Sequence, residues 1–121
     1  MTLRQQQSLF IKNFAELILW AFANGYEVTA GELVRGQQQH EYNLAKGLSK
    51  AKRSLHLDRF AGDLNLFIKG VYTTNTNDYK PLGDKWVSMH PRNRWGGDWN
   101  KNGKTEDEKF WDGNHFEMQP E

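Results

Sequence analysis

The sequence predicts an α+β fold, a small antiparallel sheet with helices packed on one side. Three observations carry that expectation: a helical apolar stripe across residues 3–23, a strictly alternating segment at 61–68, and a short apolar–polar segment at 114–118. With 121 residues, the chain has the length of a single domain, 1–121, with one modest core. Aromatic residues at 13% suit a packed interior and argue against disorder.

In residues 3–23, Phe10, Phe14, Leu17, Ile18 and Ala21 recur at helical spacing, and Ile11, Ala15 and Phe22 widen the stripe. Asn24 and Gly25 close the helix, since both tolerate a left-handed backbone. Residues 26–29 read as a short strand, and 37–47 as a polar helix ending at Gly47. The basic run 50–53 reads as a solvated loop. In 61–68, Ala61, Asp63, Asn65 and Phe67 face one way and Leu64, Leu66 and Ile68 the other. Lys69-Gly70 turns the chain into a strand at 71–73. Residues 74–84 are turn-rich, 84–89 a short helix, 91–113 loops around one site, and 114–118 the last strand.

The composition excludes several classes of function. Lys plus Arg number 16 against 15 Asp plus Glu, so nothing electrostatic points to nucleic acid. Cysteine is absent, which rules out disulfides, thiolate metal sites and a cysteine nucleophile. Any metal must be held by His, Asp and Glu, a donor set that suits zinc. Residues 1–7 lack the apolar core of a secretory signal, and no apolar run reaches the ~20 residues a membrane span needs. The expectation is a soluble product of the cytoplasm without membrane insertion, acting as a monomer.

Two stretches draw attention for chemistry: residues 54–63, with Ser54, His56 and Asp63, and residues 111–117, with Asp112, His115 and Glu117. A catalytic zinc takes three protein ligands and keeps one position open. His56, Asp63 and His115 supply two imidazoles and a carboxylate. His56 and Asp63 are seven apart, so on a regular strand they would face opposite sides. A turn or bulge must intervene, and Arg59 and Gly62 mark where it can lie. Asp112, three before His115, is close enough to act as general acid and base without being a ligand. Taken alone, these residues leave other readings open. A lone histidine is more often a surface or core residue than a ligand, and an aspartate on a strand often caps a turn.

The first stretch resembles the Ser-x-His-x-x-Gly-x-Ala-x-Asp signature of the zinc peptidases that include D-Ala-D-Ala carboxypeptidases and dipeptidases and phage L-alanyl-D-glutamate endopeptidases. Ser54, His56, Ala61 and Asp63 match it, while Arg59 stands where many members have glycine. Asp112, His115, Phe116 and Glu117 resemble the closing motif. The run 63–67 and Trp95-Gly96-Gly97 look like the phage endopeptidase branch.

The resemblance implies a Hedgehog/D-Ala-D-Ala peptidase-like fold, with zinc on His56, Asp63 and His115 and Asp112 as acid and base. It further implies Arg35 stabilising the developing oxyanion and Ser54 meeting substrate. Without the family, Arg35 reads as a surface residue paired with Glu32, and Ser54 as a turn-stabilising hydroxyl. Glu117, two beyond His115, falls on the same strand face and is expected to support it. Trp95, Trp99 and Trp111 gather near the closing motif, where stacking on a muropeptide is expected.

The implied activity is an endolysin that cuts a stem-peptide amide bond of bacterial peptidoglycan, L-Ala-D-Glu by branch resemblance. Its expected place is the host bacterial cytoplasm, from which a membrane-permeabilising partner releases it to the wall. The rivals are a D-Ala-D-Ala carboxypeptidase or dipeptidase and a non-catalytic wall-binding module. Separately, Asp98, Asn100, Asn102 and Gly103 resemble the start of an EF-hand calcium loop. The usual twelfth-place glutamate is replaced by Lys109, and Glu106 or Glu108 is the expected substitute.

Overall fold

The computed structural model describes residues 1–31, 59–103, 105 and 112–121. Helix α1 runs Leu3–Ala23, as the stripe predicts, and a capping box starts it. The Thr2 hydroxyl accepts the Gln5 backbone N–H, and the Gln5 side chain accepts that of Thr2. Its buried face is Gln6, Phe10, Asn13, Phe14, Leu17 and Ala21.

Ile11, Ala15 and Phe22 do not widen that face but lie exposed. Each follows a core residue by one position, and one residue turns a helix side chain by about 100°. At the C-terminus only Gly25 takes a positive φ, +85°, while Asn24 sits at −104°. The predicted segments 37–47 and 50–53 lie outside the described residues.

Among the described residues the sheet has five strands: β1 Glu27–Ala30, β2 Ala61–Ile68, β3 Val71–Thr73, β4 Asn93–Trp95 and β5 His115–Met118. All described pairings are antiparallel, in the order β1-β2-β5-β4, with β3 also on β2. β1 takes one edge of β2. The other edge is shared: β5 pairs with 61–63 and β3 with 66–68. Strand β4 falls in the segment expected to be loop. Its three residues are too few to show a periodicity, and it is held by pairing with β5.

Helix α2, Lys80–Met89, begins four residues before the expected position, after a 3-10 turn at Thr76–Tyr79. Pro81 falls in its first turn, where a missing N–H costs nothing. A β-carbon on Gly83 would collide with the Trp95 indole, so the bare residue lets helix and sheet close together.

The two described helices pack on one face of the sheet. Phe10 and Phe14 stack at 5.5 Å, and Trp86 meets them edge-on at 5.7 and 6.2 Å. Trp86 also meets Phe116 of β5 edge-on at 6.2 Å. Leu64 and Leu66 join this core, and Gly62 faces it too, since a β-carbon there would stand 2.8 Å from the Phe14 ring. The alternate residues Asp63, Asn65 and Phe67 therefore face away from the helices. No helix among the described residues is long and apolar enough to cross a membrane.

Candidate metal centre

The sheet face opposite the helices carries a row of polar side chains set by strand register. Asp63 on β2 lies opposite His115 on β5, and Glu117 lies opposite Arg94 on β4. Because side chains alternate, His115 and Glu117 share that face with Asp63 and Arg94.

These groups are in direct contact. His115 Nδ1 is 3.2 Å from Asp63 Oδ1 and 3.9 Å from Asp112 Oδ2. Its Nε2 donates to Glu117 Oε1 at 2.8 Å. Arg94 then holds Glu117 Oε2 through Nε at 3.0 Å and Nη2 at 2.6 Å. The Trp99 ring lies 5.6 Å from the imidazole, and the Arg94 guanidinium sits 5.1 Å over that ring. The support that Glu117 was expected to lend is thus a hydrogen bond to Nε2. Arg94 was not anticipated, because a single arginine in a glycine-rich stretch carries no periodic signal.

Electrostatics follow from these distances. Burial pushes the His115 imidazolium toward losing its proton. The Asp63 and Glu117 carboxylates, helped by Asp112, outweigh that and lift its pKa to about 9. Burial also opposes ionisation of Glu117, but His115 and Arg94 prevail and hold it below the usual carboxylate range. With Glu117 ionised and accepting from Nε2, the other nitrogen, Nδ1, is the one presented to Asp63 and Asp112.

Asp112 reaches this place through its backbone. Its N–H donates to the Gly96 carbonyl at 3.0 Å, and Gly96 N–H donates to the His115 carbonyl at 2.9 Å. A β-carbon on Gly96 would run into the Asp112 carbonyl. Trp95, expected to stack on substrate, is instead in the core, and its indole N–H donates to the Gly113 carbonyl at 2.6 Å. It carries the turn that carries Asp112. Trp99 lies beside the imidazole, and Trp111 falls outside the described residues.

His56, Ser54 and Arg35 also lie outside the described residues, as does Glu106. Of the two positions expected to mark a break before Asp63, Arg59 has a left-handed backbone, with φ +64°. Gly62 does not: it sits in regular β2, opposite Phe116. Arg59 stands at the glycine of the signature it resembles, and a side chain resists that left-handed backbone.

The donors fit a divalent ion of the zinc type. Two ligand atoms bound tetrahedrally at about 2.0–2.2 Å stand about 3.3 Å apart, and Asp63 Oδ1 and His115 Nδ1 are 3.2 Å apart. Among the described residues, no three His, Asp or Glu side chains are placed to hold a metal, so Asp112 does not complete such a set.

In the 98–108 loop, Asp98 Oδ2 accepts the Gly103 N–H at 2.7 Å and Oδ1 that of Asn102 at 3.2 Å. Asn100 Oδ1 also accepts from Asn102, at 3.3 Å, and Gly103 has φ +80°. Asp98, Asn100 and Asn102 are thereby gathered in one tight turn.

The model of the phage L-alanyl-D-glutamate peptidase family matches residues 13–119. No curated protein matches the chain. Among solved structures, the L-Ala D-Glu endopeptidase ChiX of Serratia marcescens is similar, at 20% identity and a TM-score of 0.67. That match covers 89% of this chain and 79% of the Serratia chain. It agrees with the α+β architecture described above, and the family match spans β1 to β5 together with the Asp63–His115–Glu117 row. This chain belongs to the phage L-alanyl-D-glutamate peptidase family.

Proposed function

We propose that this chain is a zinc-dependent endopeptidase that hydrolyses the L-Ala–D-Glu amide bond of the peptidoglycan stem peptide. The observation that carries the reading is the two-sided grip on His115. Its Nδ1 converges with Asp63 and Asp112, while Glu117 and Arg94 hold the opposite edge of the ring.

In this reading His56, Asp63 and His115 hold the ion. A zinc held there would supply Lewis acidity for the scissile carbonyl and for a water nucleophile near neutral pH. Asp112, half-exposed beside Nδ1, takes the proton from the attacking water and returns it to the leaving amine. Arg35 meets the charge that develops on the carbonyl oxygen, and Ser54 contacts the peptide. The 98–108 loop is the calcium site of the same proposal, with Asp98, Asn100, Asn102 and Glu106 as donors. The enzyme works as a monomer, reaching the wall from the host cytoplasm once the membrane is permeabilised.

The test is digestion of purified sacculi by protein of known metal content, with products identified by mass spectrometry. The expected products carry a new N-terminal D-glutamate and are lost when zinc is stripped. Release of free D-alanine instead would assign a carboxypeptidase, and no release by zinc-loaded protein would overturn the enzyme reading.

A further inference from the structure

Strands β3 and β5 share one edge of β2 but do not meet. Thr73 pairs with Leu66 and His115 with Asp63, so neither β3 nor β5 pairs with Leu64 or Asn65 between them. A cleft of about 220 Å³ lies in that gap, lined by Tyr72, Thr74, Thr76, Asp112, Gly113 and Asn114, over Tyr79. It therefore starts at the proposed acid and base and runs away from the metal site toward β3.

The walls of the cleft are held by hydrogen bonds and close packing. Tyr79 is buried; its hydroxyl accepts the Leu66 N–H and donates to the Thr73 carbonyl, both at 3.0 Å. Asn114 accepts the Leu64 N–H through its carbonyl at 2.9 Å. Gly113 is closely covered by Thr76, whose Cα would stand 3.0 Å from an added β-carbon. Tyr72 is held by its cross-strand partner Phe67 at 5.5 Å, yet is 52% exposed. Phe67 shares the face of Asp63, so the Tyr72 ring stands on the same side of the sheet as the metal donors.

The chemistry of the lining selects the ligand. Among the described residues no Lys, Arg or His lines the cleft, whereas Asp112 does. Just behind it, Asp78 accepts from the Thr73 hydroxyl at 2.6 Å. The described lining thus offers a carboxylate no cationic partner. Hydroxyl, amide and aromatic groups side by side suit an uncharged, hydroxyl-rich ring: its C–H face lies on an aromatic face and its hydroxyls find partners at the rim.

Resting on the peptidase reading above, we propose that this cleft is a sugar subsite for the N-acetylmuramoyl ring on the acyl side of the scissile bond. In peptidoglycan the lactyl ether of that sugar acylates the L-alanine amine. Roughly two extended-residue lengths, about 7 Å, thus separate the scissile carbonyl from the pyranose edge. The four residue steps of β2 from Asp63 to Phe67 span about 13 Å, which places the Tyr72 ring beneath the far side of such a sugar.

The experiment compares kcat/KM for N-acetylmuramoyl-L-Ala-D-Glu peptides with that for the same peptides carrying N-acetyl in place of the sugar. The zinc-loaded enzyme is expected to prefer the muramoyl substrate by about tenfold or more. Tyr72→Ala is expected to bring the two substrates close to parity, and Tyr72→Phe to keep the preference. A direct titration with N-acetylmuramoyl-L-alanine, followed by NMR, is expected to shift the amides of Tyr72, Thr74 and Asn114. Equal cleavage of both substrates by the unaltered enzyme, or unmoved amides in the titration, overturns the subsite while leaving the peptidase reading intact. Shifted amides without cleavage of either substrate keep the subsite and overturn the peptidase reading instead.

Discussion

Arg94 grips one oxygen of Glu117 with two nitrogens, at 3.0 and 2.6 Å, and so leaves the other oxygen to His115. A carboxylate held this way keeps its charge and its orientation, and it fixes which imidazole nitrogen stays protonated. Arg94→Gln is therefore expected to weaken zinc binding roughly 10–100-fold. Arg94→Lys should restore only part of the loss, since an ammonium cannot match the fork. Chelator competition on purified protein measures both, and an unaltered zinc affinity in Arg94→Gln would remove the arginine from the site.

The same geometry would make the proposed zinc binding pH-dependent. Metal-free His115 has its pKa raised to about 9, against about 6.5 in an unfolded chain. Its charged contacts thus stabilise the metal-free fold fully below about 6.5, and that contribution is lost as pH rises through about 9. Zinc must displace the Nδ1 proton, so affinity should climb up to tenfold per pH unit until about 9. Calorimetry in buffers of different ionisation enthalpy should show proton release on zinc binding at neutral pH. No release would mean that the imidazole is already neutral.

Asp112 stands 3.9 Å from Nδ1, farther than Asp63, and is 37% exposed in its side chain. In the proposed role of acid and base rather than ligand, its charge could be removed without emptying the site. Asp112→Asn is expected to lower kcat roughly 10²–10⁴-fold with zinc content and melting temperature retained. Loss of zinc together with activity would make Asp112 a ligand instead.

Arg59 adopts φ +64°, a conformation that costs a non-glycine residue about 1–2 kcal/mol. Glycine removes that strain and costs part of it back in unfolded-state entropy. Arg59→Gly is expected to stabilise the fold by about 1 kcal/mol, and Arg59→Val to destabilise it by more. Thermal melts of both variants decide this, and a lower melting temperature for Arg59→Gly would show that the arginine side chain's contacts outweigh the strain.

Asp98 already organises the turn at 98–103 by accepting two backbone N–H groups. If that loop takes calcium with the donors proposed, millimolar calcium should raise the melting temperature, and Asp98→Ala should abolish the rise. No shift in the unaltered protein would remove calcium from the account.

Much of this site was legible in the chain itself. The 3.6-residue stripe led to α1, and period-two alternation put Asp63 opposite the core-facing Leu64 and Leu66. The same rule set Glu117 on the face of His115. Each of these is a local regularity, because side-chain direction in a helix or strand depends only on residue count. Tertiary structure decided the rest: that β4 exists at all, that Arg94 lies across from Glu117, and that Arg59, not Gly62, takes a left-handed backbone. It also decided that β3 and β5 divide one edge of β2 and leave a cleft beside Asp112. Those outcomes depend on which distant segments pair, and pairing is settled by packing and hydrogen bonding between residues far apart in the chain, about which local periodicity is silent.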